Sequence, residues 1–258
     1  MSQRTGIEWT DSTWNPITGC TQVSAGCDNC YALTLAKRLL KAQYTARRPE
    51  RDTAEARRDP FAVRTWPERL SDPLRWKEPR RVFVNSMSDL FHVDVPVGFI
   101  RSVFEVMLSA DSHIFQVLTK RPARMARFVR QHEGLFGTSG VPDHIWLGTS
   151  VESQEVAFRV DQLRRIPAKI RFLSCEPLLG PLCLRLDGIH WLIAGGESGI
   201  DHRPLSLDWV RELRDDCQHA GVPFFFKQVG GRTPKAGGRL LDGRTWSEYP
   251  TRQVVLAT

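Results

Sequence analysis

The chain has 258 residues, 41% of them hydrophobic and 25% charged, and a formal net charge of +7. That composition supplies a globular core and excludes a disordered or low-complexity chain. No apolar run approaches the roughly 18 residues a membrane span needs, and the opening "MSQRTGIEWTD" lacks a hydrophobic signal region. The expectation is a cytoplasmic protein with no membrane partner, whose thiols stay reduced.

In chain order, the first feature is "GCTQVSAGCDNCYA", residues 19–32, which gathers Cys20, Cys27 and Cys30, half of the six cysteines. In a reducing compartment such a cluster reads as a metal site rather than a disulfide framework. A structural zinc takes four ligands. Here the fourth would have to come from Asp28 or from a distant histidine such as His92 or His202. Four thiolates complete an ordinary iron–sulfur cluster, whereas three leave one iron open to a ligand. A helical stretch begins near Tyr31.

From Lys37 to Arg81 the sequence holds fourteen Lys or Arg against seven Asp or Glu, and the remaining 22 basic residues balance 22 acidic ones. All of the excess therefore sits in an arginine-rich insertion at about 41–81. Arginine pairs bidentately with phosphates and stacks on bases, which makes Arg47, Arg48, Arg57 and Arg58 candidates for nucleic-acid contact. The other reading is a solvated, partly helical insertion whose charges are answered by interspersed acids.

From residue 81 onward short apolar runs alternate with amphipathic stretches. The runs are "RVFVNSM" (81–87), "HIFQVLT" (113–119), "HIWLGTS" (144–150), "IRFLSC" (170–175), "IHWLIAG" (189–195) and "VPFFFKQ" (222–228). Their near-continuous hydrophobicity is that of buried parallel strands. Helices are predicted over 98–110, 123–132, 155–166 and 207–221, the last stopped by Gly221. The fold class is α/β, a partial parallel barrel of six or seven βα units forming one domain over 1–258. A doubly wound sheet is the alternative arrangement.

Each predicted strand ends in polar residues: Ser86, Ser88 and Asp89; Thr119 and Lys120; Thr149, Ser150 and Glu152; Ser174, Cys175 and Glu176; Glu197 and Ser198; Lys227 and Gln228. Singly, each is an ordinary cap or turn residue. Together they are what the catalytic mouth of a barrel requires. Cys175 and Glu176 are catalytic candidates, since a thiol there could donate a hydrogen atom; Cys183 and Cys217 read as core. His92 and His202 read as structural. The Gly-rich segment at about 230–258 reads as a lid over the mouth or a plain tail.

Three cysteines in a loop after a short first strand and before a helix, opening a parallel αβ barrel, resemble the radical S-adenosylmethionine superfamily. The common spacing there is C-x3-C-x2-C, and this chain has C-x6-C-x2-C. Nearly end to end, the chain also resembles a phage- and mobile-element-associated three-cysteine family of uncertain function. The stretches "NSMSDLF", "LTKRP" and "TSVES" are similar to strand ends of spore photoproduct lyase, a DNA-repair member of the superfamily.

The resemblance implies an enzyme in which Cys20, Cys27 and Cys30 hold a [4Fe–4S] cluster that chelates S-adenosylmethionine. It places Lys120 at the cosubstrate's carboxylate, Ser86 or Ser88 and Ser150 at its amino-acid end, Glu152 at its ribose or amine, and Tyr31 beside it. It also implies an electron donor as partner and, with the arginine segment, a nucleic acid or nucleotide as substrate. Two features depart from the superfamily pattern. Gly195-Gly196-Glu197 follows a much later strand than the glycine-rich motif usually does. Asn29 precedes the last cysteine, where an aromatic residue is common. The competing class is a nucleic-acid-binding protein stapled by zinc or iron–sulfur, without catalysis.

Overall fold

Runs of Val, Ile and Phe without alternating polar residues suit strands covered on both faces. The computed structural model, which describes residues 5–251, forms strands at these runs. Strand β1 (Ser12–Trp14) leads into a short β2 (Ile17–Thr18), which pairs antiparallel with β3 (Arg64–Thr65). Then come β4 (Arg81–Val84), β5 (Ile114–Thr119), β6 (Ile145–Ser150), β7 (Arg171–Cys175), β8 (Trp191–Gly195) and β9 (Phe224–Gln228). These six join β1 in one sheet ordered β1-β4-β5-β6-β7-β8-β9, and every neighbouring pair is parallel.

The helices are α1 (Tyr31–Arg38), α2 (Lys41–Thr45), α3 (Ala54–Arg58), α4 (Val97–Ser109), α5 (Pro122–Gln131), α6 (Glu133–Phe136), α7 (Phe158–Arg164) and α8 (Leu207–Ala220). A doubly wound sheet would reverse its strand order at a switch point. Here the order follows the chain throughout, which is barrel winding. The result is a partial parallel barrel, as the strand-end pattern led us to expect. Among the described residues no pairing joins β9 back to β1.

The two faces of the sheet do different jobs. Val82 and Val84, Leu173 and Cys175, and Phe224 and Phe226 face outward into a core shared with α4, α5, α7 and α8. The alternate residues Phe83, Trp146, Phe172, Trp191 and Phe225 point inward, where Trp9 completes an aromatic floor. Two residues past Phe83, Phe172 and Phe225, and four past Trp146, the inward positions are Asn85, Ser174, Lys227 and Ser150, and that change of composition makes the mouth.

The Gly-rich C-terminal segment starts at the mouth, where Gly231 bridges Ser198, and runs to the opposite end of the barrel. Ser247 pairs antiparallel with Phe225, and the Tyr249 ring lies 5.2 Å from that of Trp191 and under the guanidinium of Arg81. Those partners stand at strand starts, so Tyr249 covers the end of the barrel opposite the mouth, while Trp246 packs on Phe224 in the outer core. Residues 252–258 lie outside the described residues. The arginine-rich insertion builds a small core of its own from Tyr44, Phe61 and Trp66 against Ala32, Ala36 and Met87. Among the described residues no helix is long and apolar enough to cross a membrane.

Candidate active site at the barrel mouth

The cysteine loop is laid over the strand ends by backbone contacts. Gly19 has φ of +87°, and a Cβ there would stand 2.2 Å from the Ala62 carbonyl oxygen, so only glycine fits. Its N–H donates to the Met87 carbonyl at 3.0 Å, just beyond β4, and the Cys20 N–H donates to Phe61 at 3.0 Å. A 3-10 turn over Ala25–Cys27 follows, and Cys30 stands at the N-cap of α1. All three thiols are free and partly exposed. Burial pushes the Cys20 thiol up to about 11, with Asp89 adding to the effect and Arg121 opposing it.

Three carboxylates from three strand ends hold this loop down. Asp89, past β4, receives Arg121 at 2.8 Å and Thr119 at 2.7 Å, and Arg121 reaches on to the Thr21 carbonyl at 3.0 Å and the Cys20 sulfur at 3.5 Å. Glu152, past β6, is fully buried; it accepts from the Ser24 hydroxyl, from Arg159 at 3.0 Å and from Lys120 at 3.4 Å. Burial alone would raise its carboxyl. The Lys120 charge, the Ser24 hydroxyl and Arg159 outweigh that and hold it below the ordinary range. Gly26 leaves room for it, since a Cβ there would lie 2.8 Å from the Glu152 side chain. Glu197, past β8, receives Arg203 at 2.6 Å and Asn29 at 2.9 Å. Its burial likewise acts upward and is outweighed by those donors, which leaves the carboxyl low.

Within the mouth, Glu176 and Lys227 form an ion pair at 3.0 Å, with Ser174 at 3.4 Å from the same carboxylate. A side chain at Gly195 would crowd this pair, its Cβ 2.9 Å from a Glu176 oxygen. Tyr31 is half exposed and donates its hydroxyl to the Ser86 carbonyl. The Ser86 hydroxyl exchanges hydrogen bonds with the Asn15 amide, and Ser88 donates to the Ile17 carbonyl at 2.9 Å. Ser150 is buried at the end of β6. Asn85 has φ of +62° and is 2% exposed, and neither end of its amide has a partner among the described residues.

The structure thus brings Cys20, Cys27, Cys30, Tyr31, Ser86, Ser88, Lys120, Ser150, Glu152 and Glu176 to one end of the barrel. It sends Cys175 elsewhere. That thiol is wholly buried in the outer, helix-facing core, and burial together with Cys217 pushes it well up. Cys175 lies on the opposite face of β7 from Ser174 and cannot touch a molecule in the mouth.

The arginine candidates are largely answered by acids. Arg48 and Arg57 share Asp52, and Arg47 pairs with Glu68 while stacking on Trp66 at 4.4 Å. Arg58 is exposed on α3. His92 bonds the Thr21 hydroxyl at 2.8 Å and His202 the Gly199 carbonyl at 2.9 Å, as structural histidines do.

Sequence reasoning missed Arg121, Arg159 and Arg203 as the partners of the three carboxylates. Arg121 follows Lys120 directly in "LTKRP", so a signal for it exists. Arg203 has none, because its loop has no periodicity.

Among the described residues no three His, Cys, Asp or Glu groups converge as a single ion requires. An iron–sulfur cube puts its irons at separate corners, so its ligands need not meet at a point. The donor set fits such a cube: three free thiols on one loop, all partly exposed at one mouth.

Among solved structures, the chain is similar to spore photoproduct lyase complexed with dinucleoside spore photoproduct, at 13% identity and a TM-score of 0.47, over 83% of this chain and 63% of that one. It is similar to a mutant of spore photoproduct lyase at 13% identity and a TM-score of 0.45, over 93% of this chain and 65% of that one. The chain spans less than two thirds of the length of either. No curated protein matches it. The family described as "Protein of unknown function (DUF5131)" matches residues 4–250, and the chain belongs to that family.

Proposed function

We propose that the chain is a radical S-adenosylmethionine enzyme, with Cys20, Cys27 and Cys30 holding a [4Fe–4S] cluster and a nucleic acid or nucleotide as substrate. The observation that carries this reading is the placement of the three-thiol loop across the C-terminal ends of parallel barrel strands, anchored to three of them through buried carboxylates. A loop carrying only a structural staple has no need to lie over that end, where barrels keep their chemistry. The chemistry such a cluster supplies is one-electron reduction of the cosubstrate's sulfonium, the source of a hydrogen-abstracting radical.

The chain's own residues have definable tasks. Lys120, 19% exposed at its side chain, offers its ammonium to the cosubstrate's carboxylate while Glu152 behind it fixes its position. Glu152 itself is spent on Ser24, Lys120 and Arg159, so in this reading it positions Lys120 rather than touching the ribose. Ser86, Ser150 and the unpartnered Asn85 amide supply hydrogen bonds to the amino-acid end, and Tyr31 forms the wall beside Cys30. Glu176 and Lys227 face the substrate side. An electron donor completes the set of partners. The nucleic-acid assignment rests on the surplus of cations that remains between Lys37 and Arg81 once Arg47, Arg48 and Arg57 are paired with Glu68 and Asp52, with Arg51 and Arg58 exposed.

The test is anaerobic reconstitution, iron and sulfide analysis and electron paramagnetic resonance. The reading expects a cluster whose signal shifts when S-adenosylmethionine is added, and iron lost in Cys20→Ala, Cys27→Ala or Cys30→Ala but kept in Cys183→Ala. Iron unaffected by all three site substitutions, or a cluster indifferent to S-adenosylmethionine, overturns it.

A further inference from the structure

The Gly195-Gly196-Glu197 motif has no task in the proposed chemistry, and its surroundings suggest one. We infer that Glu197 and Arg203 form a latch that positions the Cys27–Cys30 half of the cysteine loop. The claim that this prepares the loop for a cluster rests on the proposed function; the latch itself does not.

Glu197 is held on an unusually fixed backbone. A Cβ on Gly196 would stand 1.9 Å from the Val229 carbonyl oxygen, and one on Gly230, at φ +88°, would stand 2.2 Å from the Glu197 carbonyl oxygen. Two chain segments therefore touch here as only glycines allow. Hydrogen bonds tie them, Gly196 N–H to Gln228 at 2.9 Å and Gly231 N–H to Glu197 at 3.0 Å. From this base the Glu197 carboxylate takes four bonds: the Arg203 backbone N–H at 2.9 Å, its Nε at 3.0 Å and Nη2 at 2.6 Å, and Asn29 Nδ2 at 2.9 Å.

Arg203 then crosses to the loop. Its Nη1 donates to Asp28 at 3.2 Å and its Nη2 to the Ala25 carbonyl at 2.9 Å. Asn29 also donates to the Asp201 carbonyl at 2.7 Å. Every loop residue gripped in this way lies within two positions of Cys27 or next to Cys30. Cys20 is held from the other side of the mouth, by Phe61 and Arg121. Between the two holds, Ser24 is bonded to Glu152 and Gln22 donates to Asp28, so the latch is the fastening that reaches the Cys27–Cys30 stretch from the β8 side. Arginine is needed because a fork of several N–H groups must bridge a carboxylate on one segment and two acceptors on another, which an ammonium cannot span.

The test uses the full chain, metal-free and reduced, and follows iodoacetamide alkylation of each cysteine by peptide mass spectrometry. Glu197→Gln and Arg203→Lys should each speed modification of Cys27 and Cys30 by about tenfold, because these thiols are only partly exposed and losing a charge-assisted bond lets the loop open further. Cys20 and Cys183 should keep their wild-type rates. Hydrogen exchange should quicken over residues 25–30 and stay unchanged over 17–20. A general loosening that accelerates every cysteine equally, or no change at Cys27 and Cys30 in either variant, overturns the latch.

Should one variant fail to fold, the other decides, since Arg203 is partly exposed and its replacement keeps the charge. Reconstitution separates this from the proposed function. A cluster that assembles normally in both variants with unaltered resonance defeats the positioning claim alone. Latched thiols with no cluster in the wild type defeat the enzyme reading alone.

Discussion

The floor and the mouth of the barrel are built on the same inward face of the same strands, a few residues apart, yet on opposite principles. The floor is Trp9, Phe83, Trp146, Phe172, Trp191 and Phe225, with ring centroids as close as 4.7 Å between Trp9 and Phe83. The mouth above it holds the Glu176–Lys227 pair, the buried Glu152 with two cations, and an Asn85 amide without a partner among the described residues. Burial of apolar surface is non-directional and adds stability in proportion to area. Buried ion pairs largely offset their own desolvation and hold geometry instead. The lower layer stabilises the barrel and the upper layer gives up stability to fix the positions of functional groups.

The sharpest way to break this comparison is at the centre of the floor. Trp191 is fully buried, lies against Trp9, Trp146, Phe172 and Phe225, and donates its indole N–H to the Glu248 carbonyl at 2.8 Å. Trp191→Ala should destabilise the chain by about 3–5 kcal/mol, read as a fall in the urea midpoint. A loss under about 1 kcal/mol would mean that the floor is not the stabilising layer.

Glu152→Gln comes next, with an expected loss near neutral pH of about 1.5–3 kcal/mol, because Arg159 and Lys120 lose their counter-charge. The substitution also carries a pH signature. The Glu152 carboxyl is held below its ordinary range in the folded chain. Its contribution is therefore present above the ordinary carboxylate range, near pH 4.3, and fades as pH falls through the lower folded value. The gap in urea midpoint between wild type and variant should narrow on going from pH 6 toward pH 3. A constant gap would show that the charge on Glu152 is not what the mouth uses.

Much of this division is legible in the amino-acid sequence. The six apolar runs from residue 81 form strands within two or three residues of their expected ends, because parallel strands are buried on both faces and carry a continuous signal. The polar residues following them do gather at one end. Period-two alternation in "RFLSC" puts Cys175 on the face opposite Ser174, so its exclusion from the mouth is legible too.

The short β2 and β3 give no signal, since two residues carry no period. The Arg203 contact with Asp28 spans 175 residues of sequence, and nothing local marks either partner. The arginine segment misleads in a different way. A charge count cannot see that Arg48 and Arg57 close on the same Asp52, or that Arg64 is buried with its guanidinium on the carbonyls of Arg47, Ala56 and Ala62.

Asn85 gives the finest test of the comparison, with the smallest expected effect. It sits one residue past β4, in line with Phe83 of the floor, in the left-handed region that asparagine tolerates better than most residues and glycine best. Among the described residues its buried amide lacks a partner at both ends, an arrangement that costs about 1–3 kcal/mol. Asn85→Gly removes the orphaned groups and suits the backbone, while glycine's extra chain entropy returns roughly 0.5–1 kcal/mol of the gain. The metal-free protein should therefore become more stable by about 1 kcal/mol, seen as a rise in the urea midpoint. The same variant should keep its iron after reconstitution and bind S-adenosylmethionine more weakly in a calorimetric titration, because in the proposed function the amide bonds the cosubstrate. A variant that is less stable than wild type and binds with unchanged affinity would make Asn85 an ordinary wall residue. The mouth would then differ from the floor only in polarity, and not in holding stability back for a bound molecule.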